Sequence, residues 1–196
     1  MFDRIELGIE FFEGLLALDE AIVERAAREP CRECGGPLYR GDHPRKPRGG
    51  LLAIAGEAFS RRFNLCCGRD GCRLRAMPPS VRFLGRRVHL GAVVIIAAAV
   101  ALAAATGAAA TRTTGVPART TRRWLRWWRG PFTTSGPFVE LSARLVPAPE
   151  RSRIPLSLIE RFADGGPAAV TKLLAWLAPI TTTTCPDGSR FLRDVM

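Results

Sequence analysis

Histidine, tyrosine and lysine are scarce in this chain of 196 residues, which contains two, one and two of them. Histidine and tyrosine are among the side chains that most often serve as general acids and bases. Their scarcity argues against a conventional hydrolase, and we expect a protein that is not an enzyme. The first segment also lacks the basic, apolar pattern of a secretory signal or transit peptide, so a cytoplasmic protein is expected.

Basic residues exceed acidic ones by 29 to 18, a formal net charge of +11. Such an excess favours a polyanionic partner, either nucleic acid or an anionic membrane surface. The charge is unevenly placed: residues 1–30 hold eight acidic residues and three arginines, a net charge of −5, and the remainder has a net charge of +16. The sequence therefore separates an acidic N-terminal segment from a strongly basic body.

Apolar residues recur at helical spacing in the acidic segment, and Pro30 ends the pattern. These apolar residues are Ile9, Phe12, Leu15, Leu16, Ile22 and Val23. The pattern predicts one amphipathic helix, which either packs against the body or docks a partner protein.

Five of the six cysteines fall within 42 residues, unlike cysteines scattered through a core. Cys31 and Cys34 form a Cys-x2-Cys pair followed by glycines, and Cys67 and Cys72 form a Cys-x4-Cys pair that also contains glycines. Two such pairs supply the four thiolates of a closed tetrahedral zinc site, which holds a structural metal rather than a catalytic one. The sequence predicts one zinc ion per chain.

The ligand set has alternatives. Cys66 and Cys67 are adjacent in a predicted strand and should face opposite sides, so only one of them can point at the metal, and Cys67 gives the tighter loop. His43 could replace a cysteine and leave an open, catalytic position, but it lies in a basic stretch typical of a solvated loop. Disulfides are less consistent with the Cys-x2-Cys spacing than zinc is. Cys185, far from the others, is expected to be an incidental thiol.

Arginines and a lysine are dense around the two cysteine pairs, which indicates phosphate contacts. They are Arg40, Arg45, Lys46, Arg48, Arg61, Arg62, Arg69, Arg73 and Arg75.

Residues 90–111 carry no charge and are long enough to cross a bilayer. Half of them are alanine, which contributes little to insertion, and Thr106 and Gly107 interrupt the run. We therefore expect a buried helix over residues 91–105 instead. Its predicted core residues are Val93, Val94, Ile96, Val100 and Leu102.

The following residues, 108–126, resemble a helix-turn-helix. Gly115 suits the left-handed turn, Val116 enters the core and Pro117 suits the start of the second helix. Trp124 then falls on the buried side. Five residues are expected to project outward, where a recognition helix contacts DNA: Arg119, Thr120, Arg122, Arg123 and Arg126.

Thr111 and Thr114 depart from this pattern, because a small and an apolar residue are usual at their positions. The alternative is an Arg-rich amphipathic helix lying on a membrane, anchored by Trp124, Trp127 and Trp128.

A zinc ribbon followed by a helix-turn-helix resembles the DNA-binding modules of bacterial insertion-sequence transposases and their accessory proteins. The resemblance covers residues 31–130 and implies binding to double-stranded DNA. Transposases also carry an acidic catalytic triad on a larger domain, and residues 130–196 are too few for that domain. The run at residues 78–87 also resembles a run in a group of bacterial proteins, and this likeness gives no information about activity.

The expected fold is mainly α with a small β zinc ribbon. Its segments are an N-terminal helix (1–30), a four-cysteine zinc ribbon (31–85), a helix-turn-helix (86–135) and C-terminal helices (136–196), placed at residues 155–162 and 167–177. The expected function is zinc-dependent binding of double-stranded DNA, as a transposition-related accessory factor or a transcriptional regulator. Arg45, Lys46 and Arg48 would contact the phosphate backbone of the DNA. A protein partner or a second copy of the chain would bind through residues 1–30 or the C-terminal helices. The alternative is a membrane-associated protein.

Overall fold

Helices dominate the fold, and a small antiparallel sheet lies near the N-terminal helix. The computed structural model describes residues 7–47, 51–84, 90–162 and 166–181. The helices are α1 (Ile9–Ala27), α2 (Leu52–Ala55), α3 (Gly91–Ala103), α4 (Gly107–Thr114), α5 (Ala118–Trp127), α6 (Gly136–Ser142), α7 (Leu156–Ile159) and α8 (Gly166–Leu177). Strands β1 (Leu38–Pro44), β2 (Arg61–Cys67) and β3 (Arg75–Ala76) form the sheet in that order. A mainly helical fold with a small sheet is what the sequence predicts.

Helix α1 packs against β1, β2 and α2. It buries Phe12, Leu15 and Val23, in agreement with the helical spacing of the apolar residues. Ile9, the first residue of the helix, is 60% exposed. Its side chain faces a groove between α1 and α8 instead of the core.

A buried ion pair joins α1 to the segment that follows the sheet. Arg82 Nε lies 2.7 Å from Asp19 Oδ2, and both side chains are almost completely buried. The Asp19 carboxylate also accepts hydrogen bonds from the Ser80 hydroxyl and the Val81 amide, each at 2.6 Å. The Ser80 amide in turn donates to the Thr181 hydroxyl. These bonds compensate the cost of burying both charges, because the carboxylate oxygens are satisfied by several donors.

Helix α3 forms the centre of the helical part and packs against α4, α5, α7 and α8. Every residue from Gly91 to Ala101 is buried, and Leu102 is half-buried. The predicted buried helix is therefore confirmed, with its end at Ala103, two residues earlier than predicted. Among the described residues, no helix combines the length and the hydrophobicity that crossing a membrane would require.

The C-terminal helices differ in extent from the prediction. Helix α8 begins one residue before the predicted start and ends at the predicted Leu177, whereas α7 spans only Leu156–Ile159 of the predicted residues 155–162. Helix α6 was missed, because Gly and Pro at its start suggest a turn. The Ser135 hydroxyl accepts a hydrogen bond from the Phe138 amide and so stabilises the first turn of α6.

Candidate metal centre and basic helix

Four cysteines from two loops converge beside the sheet. The Sγ atoms of Cys31, Cys34, Cys67 and Cys72 all lie within 4.8 Å of one another. The sulfur of Cys31 is 3.8 Å from that of Cys72, and the sulfur of Cys34 is 3.5 Å from that of Cys67. Each short distance therefore joins one pair to the other. The group is able to hold one metal ion.

Both loops are tight turns that the backbone closes. In the first, the Gly35 amide donates to the Cys31 carbonyl at 2.7 Å, and the Cys31 amide donates to the Gly36 carbonyl at 2.8 Å. Gly35 has a φ of +70°, which favours glycine at this position. In the second, the Cys72 amide donates to the Arg69 carbonyl at 3.0 Å. The glycines that follow and interrupt the cysteine pairs thus allow the sulfurs to face each other.

Backbone amides also point at the sulfurs. The Gly36 amide donates to the Cys34 sulfur, and this bond, together with those from the neighbouring thiols, lowers the pKa of Cys34 to about 7. The Arg69 amide lies 3.4 Å from the Cys67 sulfur and donates to it. Amides that donate to sulfur favour the thiolate, which is the form that binds a metal. Against the Arg69 amide, burial and the neighbouring sulfurs raise the pKa of Cys67 to about 12, because adjacent thiols without a cation do not all ionise.

The alternatives in the ligand set are resolved by the direction of the side chains. Cys66 is outside the group, and its sulfur lies near the Asn64 side-chain oxygen at 3.8 Å. His43 is also outside it, with its Nδ1 3.3 Å from the Asn64 amide nitrogen. All five cysteines of the described part of the chain are free, so none forms a disulfide there. Cys185 lies outside the described residues.

Gly36 and Arg69 hold the two cysteine loops against each other, and sequence reasoning missed both roles. Arg69 was expected to contact phosphate, but its guanidinium donates to the Cys34 carbonyl at 2.6 Å. A Cβ at Gly36 would lie 2.8 Å from the Arg69 Cβ and 3.3 Å from the sulfurs of Cys34 and Cys67. In the sequence, only the second glycine after the Cys-x2-Cys pair, Gly36, could have indicated that the two loops approach each other closely.

Replacing Gly36 with alanine should weaken metal binding about 10–100-fold, the usual effect of disturbing groups that orient metal ligands. The added methyl group would push the two cysteine loops apart, as the distances around Gly36 require. Competition with a chelator measures the affinity. Gly14→Ala is the control, because a Cβ there meets nothing within 4 Å. Equal affinities of the two variants would contradict the close packing of the loops.

Helices α4 and α5 are joined by a turn of three residues. Gly115 adopts a left-handed conformation with a φ of +67°, and Val116 is buried. Thr106 is the N-cap that precedes α4, and its hydroxyl accepts a hydrogen bond from the Ala108 amide at 3.2 Å. Thr114, at a position where an apolar residue was expected, is buried, and its hydroxyl donates to the Ala110 carbonyl at 2.7 Å. The hydroxyl is thereby satisfied inside the core.

Arginines cover the solvent side of α5. Thr121, Trp124 and Trp127 are buried on the opposite side. The exposed arginines of α5 and the residues after it are Arg119, Arg122, Arg123, Arg126 and Arg129. Thr120, also predicted to project outward, is half-buried, one turn before Trp124. Residues 71–139 contain eleven arginines and no aspartate or glutamate.

The three tryptophans of this segment all belong to the core. Trp124, Trp127 and Trp128 are at most 3% exposed. Trp127 and Trp128 pack against Phe132, whose ring centroid is 5.3 Å and 4.6 Å from theirs. Because their rings are enclosed by the protein, they are not placed to anchor the helix in a membrane interface.

The basic residues around the cysteines are less uniform than their sequence suggests. Lys46 is exposed and Arg45 is half-buried, whereas Arg48 lies outside the described residues. Arg62 is buried and donates to the Thr181 carbonyl at 2.9 Å, and Arg61 pairs with Asp42. Arg61 and Arg62 are therefore engaged within the protein. Arg40 and Arg69 are exposed but also have partners, Glu20 and the Cys34 carbonyl. Lys46, Arg73 and Arg75 are exposed as well.

No protein-family model, curated protein or solved structure matches this chain. The resemblance to transposase modules therefore remains a prediction from the motifs.

Proposed function

We propose that this chain is a zinc-stabilised protein that binds double-stranded DNA through α5. It acts by binding rather than by catalysis, as an accessory factor in transposition or as a transcriptional regulator. The observation that carries the proposal is the arc of exposed arginines on α5, opposite its buried tryptophans. A helix with such an arc suits the major groove, where guanidinium groups contact guanine edges and phosphates.

The connection between α4 and α5 supports a helix-turn-helix. A left-handed Gly115 followed by a buried Val116 directs α5 across α4, and both helices pack on α3. In such a unit, the second helix enters the major groove with its N-terminal residues towards the bases. Arg119 and Arg123 lie one helical turn apart on the exposed side of α5 and would reach the DNA together.

The distances between the sulfurs support zinc as the metal. A tetrahedral zinc site with metal–sulfur bonds of about 2.3 Å has sulfur–sulfur edges of about 3.8 Å. The distances of 3.8 Å and 3.5 Å across the loops are close to that value. Four cysteines fill the coordination sphere, so the ion would stabilise the sheet and loops and leave no position for a substrate.

Residues 71–139 contain no aspartate or glutamate. A partner with negative charge only, such as DNA, suits this segment better than a protein surface that carries charges of both signs. Arg119, Arg122 and Arg123 have no neighbouring carboxylate in sequence, so a polyanion can neutralise them. The membrane alternative receives no comparable support, because Trp124, Trp127 and Trp128 are enclosed by the core.

Binding to a duplex should weaken steeply with salt, because each phosphate contact releases counterions. If Arg123 contacts phosphate, Arg123→Gln should reduce the slope of log K against log salt concentration by about 1 for all sequences. If it contacts guanine, the variant should lose about 1–3 kcal/mol of discrimination at one base pair. Fluorescence anisotropy with duplexes of defined and random sequence measures both quantities.

Arg144→Gln is the matched control, because this arginine is also exposed but lies after α6 and faces Glu140 at 3.5 Å. Its removal lowers the net charge equally and should leave the slope unchanged. Duplex binding that is independent of salt, or no binding at low salt, would contradict the proposed function.

A further inference from the structure

The one tyrosine of the chain, Tyr39, lies on β1 and is 60% exposed. Aromatic side chains contribute most when their large apolar area is buried in a core or an interface. More than half of the Tyr39 side chain is left in contact with water. The duplex contacts proposed for α5 do not involve it. Its surroundings on the sheet indicate a second binding surface.

Tyr39 begins a row of three side chains across the sheet. It pairs with Cys66 on β2, and Cys66 pairs with Arg75 on β3. Directly opposite residues in an antiparallel sheet share a face, so these three residues form one row on the same face of the sheet. Along the strands, the same face continues to Asn64 and Arg62, which are buried. The open part of the face is therefore the end that holds Tyr39, Cys66 and Arg75.

The backbone beside the row fixes the position of the ring. A Cβ at Gly68 would lie 2.1 Å from the Tyr39 Cε2 atom and 2.7 Å from its Cδ2 atom. The ring edge thus rests on the glycine backbone, where any side chain would displace it. The Gly68 amide donates to the Pro37 carbonyl at 3.0 Å, which ties this backbone to the start of β1. A ring held in this way loses little freedom on stacking.

We propose that the row formed by Tyr39, Cys66 and Arg75 stacks an unpaired base of single-stranded DNA. An exposed ring offers its face to any base, and a neighbouring guanidinium can contact the phosphate that follows. Bases inside a duplex are stacked on their neighbours on both faces, so only an unpaired base can stack on the Tyr39 ring. The small Cys66 side chain, which is half-buried, leaves space beside the ring.

The charge around the row favours a nucleic acid as the occupant. Arg73 and Arg75 are exposed at this end of the sheet, next to Arg69, whose guanidinium also donates to the Cys34 carbonyl. The exposed acids of the two cysteine loops are Glu33, which pairs with Arg32, and Asp70. A single strand follows such a basic margin with its phosphates while its bases stack on aromatic rings. This site for single-stranded DNA lies on the sheet, whereas the surface proposed for duplex DNA lies on α5. The two are therefore tested with different DNA substrates.

The test compares Tyr39→Leu and Tyr39→Phe with the wild-type chain on a thymidine 15-mer and on a duplex of equal length. Tyr39→Leu should weaken binding to the single strand at least about fivefold, whereas Tyr39→Phe should stay within about twofold, because phenylalanine retains the ring. Since the ring is uncharged, the salt dependence should be unchanged in both variants. Arg75→Gln should instead reduce the slope of log K against log salt concentration by about 0.7 on the single strand.

Zinc content is measured for each variant to show that the sheet is intact. Single-strand binding by Tyr39→Leu equal to wild type would overturn the stacking site, and so would an equal loss on the single strand and the duplex. A wild-type chain that binds the duplex but not the 15-mer would overturn this inference and leave the proposed function standing. A chain that binds only the 15-mer would support the stacking site and contradict the duplex proposal.

Discussion

Replacing Cys34 with serine should abolish stoichiometric zinc binding and unfold the sheet with its two cysteine loops. The Cys34 sulfur lies 3.5 Å from that of Cys67, so its loss removes a ligand that joins the two pairs. Structural zinc contributes an apparent binding free energy of about 10–16 kcal/mol at neutral pH. A sheet with strands of seven, seven and two residues has little stability of its own without that contribution.

Cys66→Ser is the matched control, because this cysteine is adjacent to Cys67 in sequence but lies outside the sulfur cluster. It should retain one zinc ion per chain, as should Cys185→Ser. Metal analysis of the purified variants, together with circular dichroism, measures both properties. Full zinc content in the Cys34 variant, or its loss in the Cys66 variant, would show that the ligand assignment is wrong.

Replacing Trp124 with alanine should lower the free energy of unfolding by about 3–5 kcal/mol, the usual cost of truncating a fully buried tryptophan. The indole is 1% exposed and lies opposite the arginines of α5, so its loss leaves a cavity where α5 meets the core. For a chain of this length, the melting temperature should fall by roughly 6–20 °C. The zinc content should stay at one ion per chain below the transition, because the four cysteines lie on other elements.

Trp176→Ala provides the comparison within the same chain. Trp176 on α8 is half-buried, so part of its surface is already in water, and its truncation should cost less. Thermal melts followed by far-ultraviolet circular dichroism measure both variants. An unchanged melting temperature for Trp124→Ala would contradict its role as the anchor of α5.

Features that depend on neighbours in sequence could be predicted. The two cysteine pairs bring the sulfurs together through short turns, and the glycines in those turns are visible in the sequence. The end of α4 was predicted for a similar reason, because Gly115 adopts a conformation that other residues avoid. Local backbone preference decides each of these features.

Features that depend on distant partners could not be predicted. The sequence places Arg62 among many arginines that are expected on the surface. In the structure it is buried and donates a hydrogen bond to the carbonyl of Thr181, which lies far along the chain. Nothing near Asp19 in sequence indicates that Arg82 will pair with it.

Thr181, at the end of the described residues, bears on how this chain can be divided into fragments. A fragment ending at residue 135 would keep all four clustered cysteines and the whole of α5. It would lack Thr181, whose hydroxyl accepts from the Ser80 amide and whose carbonyl accepts from Arg62. A buried donor deprived of its acceptor costs about 1–3 kcal/mol, and here two donors would be affected, the Ser80 amide and the Arg62 guanidinium. Shorter versions of the protein should therefore extend at least through Thr181, even where only the metal centre or the basic helix is to be studied.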